Sequence, residues 1–323
     1  LFFAAISGSG TATVAAMGSI LIPAMVAQGY DAGFSSALSA ISGSLGTVIP
    51  PSITFIIYGM ITGESIGDLF LSGIIPGLIF GFMLCIMVFI KSKKNGWKGE
   101  TQRASLKEIG RLFLDTIWGL LSPVIVLGGI YSGLFTPTEA AAVAVVYSLI
   151  VGIFIYKELR LAELKETLFS TAKTTGMILL IIMNAGIFSW VLTQQGIAAS
   201  LTEMALALTD NKYIMLVIIN IVFLCAGCVM DNTSALYILV PIIMPIAKAL
   251  DINMIQLGVI LVLNLSIGQV TPPVGPNLYV AADIGKVKFE EICRKMVPLL
   301  LMSLLALLCI TYIPALSLCL IPS

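Results

Sequence analysis

Histidine is absent from this sequence and charge is scarce: 17 basic and 17 acidic residues among 323 cancel to zero and make up 11% of the chain. Without histidine, the commonest metal ligand and neutral-pH general base is missing. A balanced charge points to neither nucleic acid nor an acidic surface as partner. There is no glycine–lysine nucleotide loop, no metal-ligand cluster and no Gly-x-Ser-x-Gly elbow around Ser7 or Ser9. Apolar and polar residues do not alternate at a period of two, which argues against a transmembrane barrel. The six cysteines (Cys85, Cys225, Cys228, Cys293, Cys309 and Cys319) sit in or beside apolar runs and form no evident disulfide framework. Cys225-Ala-Gly-Cys228 has the spacing of a redox or metal pair but stands alone, so small, packable helix residues are the simpler reading.

What is abundant is apolar surface. With 59% hydrophobic residues and a mean hydropathy of +1.07, the chain cannot hide its apolar side chains in one water-soluble core. Its apolar runs, about 15 to 22 residues each, match helices crossing hydrocarbon. The expected fold class is an all-α polytopic membrane protein. No cleavable signal peptide is visible, and the sequence starts at Leu1 in mid-helix without methionine, so an N-terminal portion is expected to precede it.

An internal repeat organises the chain. A shift of 222 residues places Pro23, Pro50, Pro51 and Pro76 on Pro245, Pro272, Pro273 and Pro298 without a gap. The same shift superposes Thr11 on Thr233, Ser44 on Ser266, Gly46 on Gly268, Val48 on Val270 and Gly63 on Gly285. So long a period is wrong for a solenoid and fits the duplicated halves of a transporter.

Each copy contains two interruptions. Ser7-Gly8-Ser9-Gly10-Thr11 maps onto Val229-Met230-Asp231-Asn232-Thr233, a polar break between apolar segments. In the second copy the flanks Ile214 to Val229 and Ser234 to Leu250 are each about 16 residues, roughly 24 Å as helix and short of a bilayer, which predicts a re-entrant hairpin with a polar tip. Exposed backbone at that depth is tolerated only if protein buries it or it lines a cavity. In the first copy only Leu1 to Ile6 of the leading arm is present. The second interruption, "SGSLGTVIPPS" at Ser42 to Ser52 and "NLSIGQVTPPV" at Asn264 to Val274, ends in a double proline and predicts a split helix. Freed carbonyls there suit a dehydrated cation, and half-helix N-termini suit an anion.

The remaining spans are expected at Leu71 to Ile90, Thr116 to Phe135, Ala140 to Tyr156, Thr174 to Thr193 and Leu299 to Leu318. With "KSKKNGWK" cytoplasmic, 15 of the 17 basic residues fall inside, Lys212 and Lys248 being the exceptions, and the two hairpins enter from opposite sides: the repeats are inverted. "GESIGDLF" after the first split helix carries only acids, whereas its counterpart "GKVKFEEICRK" is basic-rich. Thr101 to Asp115 and Glu158 to Lys173 read as amphipathic helices along the inner surface, either arms bracing a moving domain or interfacial linkers. The expected organisation is 1–77 as first transport repeat, 78–210 as scaffold and arm helices, 211–298 as second repeat and 299–323 as a C-terminal transmembrane helix. Gly77-Leu-Ile-Phe-Gly81 reads as a packing motif, Glu139 in "TPTEAAA" as a helix cap near Thr136 and Thr138, and Asp283 as solvated.

"SGSGTATVAAMGSILIPAM", "GSLGTVIPPS" followed by "GDLFLSGIIPG", "GLFTPTEAAAVAVVYSL", and "MDNTSALYILVPIIMPIA" with "GQVTPPVGPNLYVA" together resemble the large membrane (M, DctM-like) subunit of tripartite ATP-independent periplasmic (TRAP) transporters. The likeness covers essentially the whole chain and begins partway into the family pattern. It implies a sodium-driven, elevator-type importer of small carboxylates such as sialic acid or dicarboxylates, multi-pass in the bacterial inner membrane. Its implied partners are a small membrane subunit and a periplasmic substrate-binding protein. The chain more remotely resembles the wider ion-transporter superfamily with paired hairpins.

Carried onto this sequence, the resemblance implies one sodium site from Ser7, Gly8, Ser9, Gly10 and Thr11 against Ser42, Gly43, Gly46 and Thr47. It implies another from Asp231, Asn232 and Thr233 against Asn264, Gly268, Val270 and Thr271. The substrate carboxylate would rest between them, near Gly10, Thr11, Pro50, Asn232, Thr233, Pro272 and Pro273. Sodium is a hard cation that takes carbonyl, hydroxyl and amide oxygens, so the absence of histidine is no obstacle. Three alternatives stay open: an ion-coupled carrier of the wider superfamily without a binding protein, a passive channel or scaffold, and, remotely, an intramembrane enzyme. Of the two carboxylates an aspartyl protease needs, only Asp231 is well placed.

Overall fold

The computed structural model describes residues 1–97 and 105–321, and these form helices joined by short turns, with no strand among them. In chain order the helices are α1 (Ala4–Ser7), α2 (Gly10–Ala27), α3 (Ala32–Ser44), α4 (Ile53–Thr62), α5 (Ile66–Asn95), α6 (Leu106–Tyr131), α7 (Pro137–Ile150), α8 (Leu161–Gln194), α9 (Ile197–Leu208), α10 (Lys212–Val229), α11 (Asn232–Ala249), α12 (Met254–Gly268), α13 (Pro276–Gly285), α14 (Phe289–Tyr312) and α15 (Ala315–Leu318). A 3-10 turn, Leu45–Thr47, extends α3, and a π-helical turn, Val151–Ile155, extends α7. Eight of the described helices are long and apolar enough to cross a membrane. This is a polytopic all-α membrane protein.

Both expected kinds of break are present. Helix stops at Ser7 and restarts at Gly10, and stops at Val229 and restarts at Asn232. Gly8 makes the first stop possible: its φ of +63° is strained for any side chain, and a Cβ would lie 3.0 Å from the Pro51 carbonyl. The second kind of break separates α3 and its 3-10 turn from α4, and α12 from α13, each across a cis Pro-Pro bond, Pro50-Pro51 and Pro272-Pro273. With 13 and 10 residues in the first pair and 15 and 10 in the second, neither half reaches across hydrocarbon. Two halves in series, about 35 Å, do.

The described residues form two compact units. One comprises Leu1, residues 3–97 and residues 188–321; the other comprises Phe2 and residues 105–187. Within the first unit the packing is reciprocal between repeats. The second arm of the first hairpin, α2, packs on α13, and the second arm of the second hairpin, α11, packs on α4. Likewise α3 packs on α14 and α12 on α5. Under the 222-residue shift each of these contacts becomes the other, the pattern of two copies related by a two-fold. Helix α14, which runs across the expected boundary at residue 298, packs on α3, α5, α12 and α13.

In the second unit α6 and α7 pack together, with the Tyr147 hydroxyl donating to the Trp118 carbonyl at 2.6 Å and the Tyr156 hydroxyl to that of Asp115 at 2.9 Å. Glu139 caps α7 as its sequence context indicates: the Thr136 and Glu139 side chains each bond the other's backbone amide. The helices are longer than expected. Charged stretches read as separate surface arms are the opening turns of α6 and α8, which continue unbroken into apolar sequence. Neither Asp115–Thr116 nor Lys173–Thr174 has a proline or glycine at the junction, and the helix runs through both. Residues 101–104 of the first stretch, including Arg103, and Lys98 of the basic cluster lie outside the described residues.

Candidate functional site

The first hairpin tip and the first split-helix loop are built against each other. Ser9 is the extended N-cap of α2, and its carbonyl accepts from the Ser7 hydroxyl (3.2 Å), the Thr13 hydroxyl (2.7 Å) and the Thr13 amide (3.1 Å). Gly46 lies so close beneath it that a Cβ would fall 2.7 Å from both the Ser9 carbonyl oxygen and Thr13 Oγ1. The Ile53 amide donates to the Gly8 carbonyl at 3.4 Å, tying the far side of the loop to the tip. Ser9 and Thr11 hydroxyls face one another at 3.4 Å. Thr47, 3% exposed, donates to the Ser44 carbonyl, and its own carbonyl accepts from the Ser52 hydroxyl at 2.5 Å. Ser42 is half-buried in α3, whereas Gly43 serves packing, its Cβ position lying 2.2 Å from Val14 Cγ2.

In the second repeat the loop meets the last turn of α10, just before the tip, through different atoms. A Cβ on Gly268 would lie 2.5 Å from the Gly227 backbone, and the Val274 amide donates to the Cys228 carbonyl at 3.2 Å. Asp231 caps α11, accepting from the Thr233 amide (2.9 Å), the Ser234 amide (3.1 Å) and the Ser234 hydroxyl (2.6 Å). Its carboxylate is therefore committed to the helix start, and the residue is exposed. Asn232 is 6% exposed with neither side-chain amide atom hydrogen-bonded. Asn264 is fully buried in α12, and Val270 and Thr271 lie in the loop after it, Thr271 donating to the Ile267 carbonyl at 2.8 Å. Pro50 is buried, whereas Pro272 and Pro273 are exposed.

The two halves touch at the breaks. Thr47 and Ser266 hydroxyls share a short hydrogen bond across the repeats. Gly10 abuts the second loop, its Cβ position 2.4 Å from Gln269 Oε1 and 3.2 Å from Asn277 Nδ2. Asn277, fully buried, reaches back to Gln269 Oε1 (3.4 Å) and to the Ala40 carbonyl (3.5 Å). Gln269 and Asn277 are absent from the sequence-derived set. Gln269 is the repeat counterpart of Thr47, and a polar residue at the equivalent position was the available signal. Among the described residues no hydrogen bond joins Asn232 or Thr233 to Gly10 or Thr11, so the substrate set is not gathered into one hydrogen-bonded cluster. No group of three or more His, Cys, Asp or Glu side chains that could hold a metal ion occurs among the described residues. What converges here is carbonyl, hydroxyl and amide oxygen.

Residues 1–316 match the family described as "Tripartite ATP-independent periplasmic transporter, DctM component". The chain belongs to this family. It is 44% identical over 315 residues to the isethionate TRAP transporter permease protein DctMQ of Oleidesulfovibrio alaskensis, covering 98% of this chain and 50% of that protein. It is 43% identical to the C4-dicarboxylate TRAP transporter large permease protein DctM of Pseudomonas aeruginosa, covering 99% of this chain and 75% of that one. With the sialic acid TRAP transporter large permease protein SiaM of Vibrio cholerae the identity is 36%, over 98% of this chain and 74% of that one. This DctM-family chain thus spans half the length of the first relative and about three quarters of the other two. These relatives are named as permeases rather than enzymes, and the DctM chain is a multi-pass inner-membrane protein.

Proposed function

We propose that this DctM-family chain is the large permease of a sodium-coupled secondary importer of small organic acids that moves its cargo by an elevator mechanism. The observation that carries the reading is the pairing of each hairpin with a broken-helix loop: the Ser9 tip with Gly46 in one repeat, and in the other the last turn before the tip, Gly227 and Cys228, with Gly268 and Val274. Peptide groups left without helical partners inside a membrane are costly unless they hold something. Hard carbonyl and hydroxyl oxygens without a histidine, thiolate or carboxylate cluster suit an alkali cation better than a transition metal. Sodium is here cargo, and the residues that would hold it are Ser7 to Thr11 with Ser42 to Thr47, and Asp231 to Thr233 with Asn264 to Thr271.

The relatives' names, isethionate, C4-dicarboxylate and sialic acid, share an acid that is anionic at neutral pH, which supports an anionic substrate. The N-termini of α2 and α11 supply amides and a positive dipole end for it. Sodium at the loops would order both tips and so raise substrate affinity, with the reciprocal effect of substrate on sodium. The inverted repeats would move as one body, receiving substrate from a periplasmic binding protein, with a small membrane subunit completing the stationary part. The test is uptake in proteoliposomes containing the full transporter, candidate acids, binding protein and an imposed sodium gradient. Expected is accumulation that requires inward sodium and the binding protein; uptake indifferent to sodium overturns the reading.

A further inference from the structure

A buried chain of polar side chains runs away from the second broken helix, and it fixes which end of one amide is left free. Asn264 is fully buried in α12, one turn before the break. Its Nδ2 donates to the Ile260 carbonyl at 2.7 Å and to Asn220 Oδ1 at 2.7 Å. A backbone carbonyl only accepts, so the atom facing Ile260 is the nitrogen, and both amide hydrogens are thereby spent. Oδ1 of Asn264 is left buried with no donor among the described residues.

The orientation is held from further out. Asn220, 4% exposed in α10, uses its oxygen on Asn264 and its Nδ2 on Thr311 Oγ1 of α14 at 3.2 Å. The Thr311 backbone is in turn gripped by Gln256 of α12, whose Nε2 donates to the Thr311 carbonyl at 3.1 Å. These four residues are each no more than 4% exposed and belong to the hairpin arm, the split helix and the last long helix. In apolar surroundings such a chain costs desolvation for every group, and an orphaned amide oxygen at its end costs more.

We propose that Asn220, steadied by Thr311, is a positioning residue that holds the Asn264 amide with its oxygen bare, so that this oxygen serves as a preset cation ligand. The inference rests on the proposed sodium coupling and deepens it, adding two residues that touch no ion. It assigns the polar residues of α10 and α14 a task that membrane solubility argues against unless something is gained.

The experiment is sodium dependence of uptake in the reconstituted full transporter, with melting temperature and assembly measured alongside. Asn220→Leu, similar in size but unable to accept, should raise the half-saturating sodium concentration about 10-fold, leaving substrate half-saturation at saturating sodium unchanged. Asn220→Asp, which still accepts from Asn264, should restore sodium affinity. Thr311→Val tests the same chain without touching Asn220 and should raise the sodium requirement by a smaller factor. Unchanged sodium affinity in both Asn220→Leu and Thr311→Val overturns the proposal, as does an equal loss of maximal rate in Asn220→Leu and Asn220→Asp with no change in sodium dependence. Should Asn220→Leu fail to assemble, Thr311→Val alone decides. Asn264→Ala separates the two levels. If it leaves sodium dependence intact, the assignment of this loop to sodium falls and the inference with it; if it alters sodium dependence while Asn220→Leu and Thr311→Val do not, only the inference falls.

Discussion

Gly10 and Gln269 lie in different repeats, yet the place a Cβ would take on Gly10 is 2.4 Å from the Gln269 side-chain oxygen. The start of one hairpin's long arm is therefore seated against the loop that interrupts the other repeat's helix. Gly10→Ala should push Gln269 off Asn277 and lower the proposed sodium-driven uptake. Because the obstructing atom is the end of a side chain, Gln269→Ala in the same molecule should relieve part of the defect. Rates of the two single variants and the double variant form the cycle that checks it, and simple additivity would refute the coupling.

The Gly268 contact is of another kind, since the neighbour is Gly227 backbone at 2.5 Å and cannot swing aside. Gly268→Ala should destabilise by about 1–3 kcal/mol, the usual cost of overpacking. Thermal unfolding in detergent measures it, and a melting temperature equal to the parent's would show that the second hairpin does not pack here.

Asp231 caps a helix, and the proposed sodium coupling would give it a second task. As the N-cap of α11 its carboxylate accepts two backbone amides. Asp231→Ala should cost about 1 kcal/mol through the lost cap. Asp231→Asn keeps a capping oxygen and should hold stability close to the parent while raising the sodium requirement several-fold. A variant normal in both measures would reduce Asp231 to a cap.

At the base of the first hairpin, Lys295 Nζ sits 3.1 Å from the Asp31 carboxylate, both side chains a third exposed or more. Such a pair is worth no more than about 1 kcal/mol and is screened by salt. Asp31 also caps α3 through the Phe34 amide at 2.8 Å. Asp31→Ala should therefore destabilise more than Lys295→Ala, and raising salt should shrink both effects by the ion pair's share, leaving the cap's share in the aspartate variant. Unfolding at low and high salt compares them.

The periodic prolines made the duplicated architecture legible without coordinates, because a proline pair stops a helix wherever it occurs. The tips were legible for a similar reason: Ser-Gly-Ser-Gly and Met-Asp-Asn are poor helix interiors. Superposing the repeats could pair Thr47 with Gln269 as equivalents, but equivalence is not contact. Nothing in the pattern reveals that Gln269 meets Gly10, or that Thr47 meets Ser266. Asn220 was invisible for another reason, since one amide in an apolar run carries no signal until its partners, 44 and 91 positions away, are brought alongside. The lengths of α6 and α8 were underestimated because charge was read as a boundary, and a helix needs a breaker to end.

The exchange in which α2 leans on α13 while α11 leans on α4 carries a consequence for origin. Each hairpin arm is covered partly by its own repeat and partly by a helix of the other, so each half made alone would leave that second apolar face exposed. An ancestor with a single copy would have had to borrow that cover from a twin molecule, as a homodimer, before fusion placed both in one polypeptide.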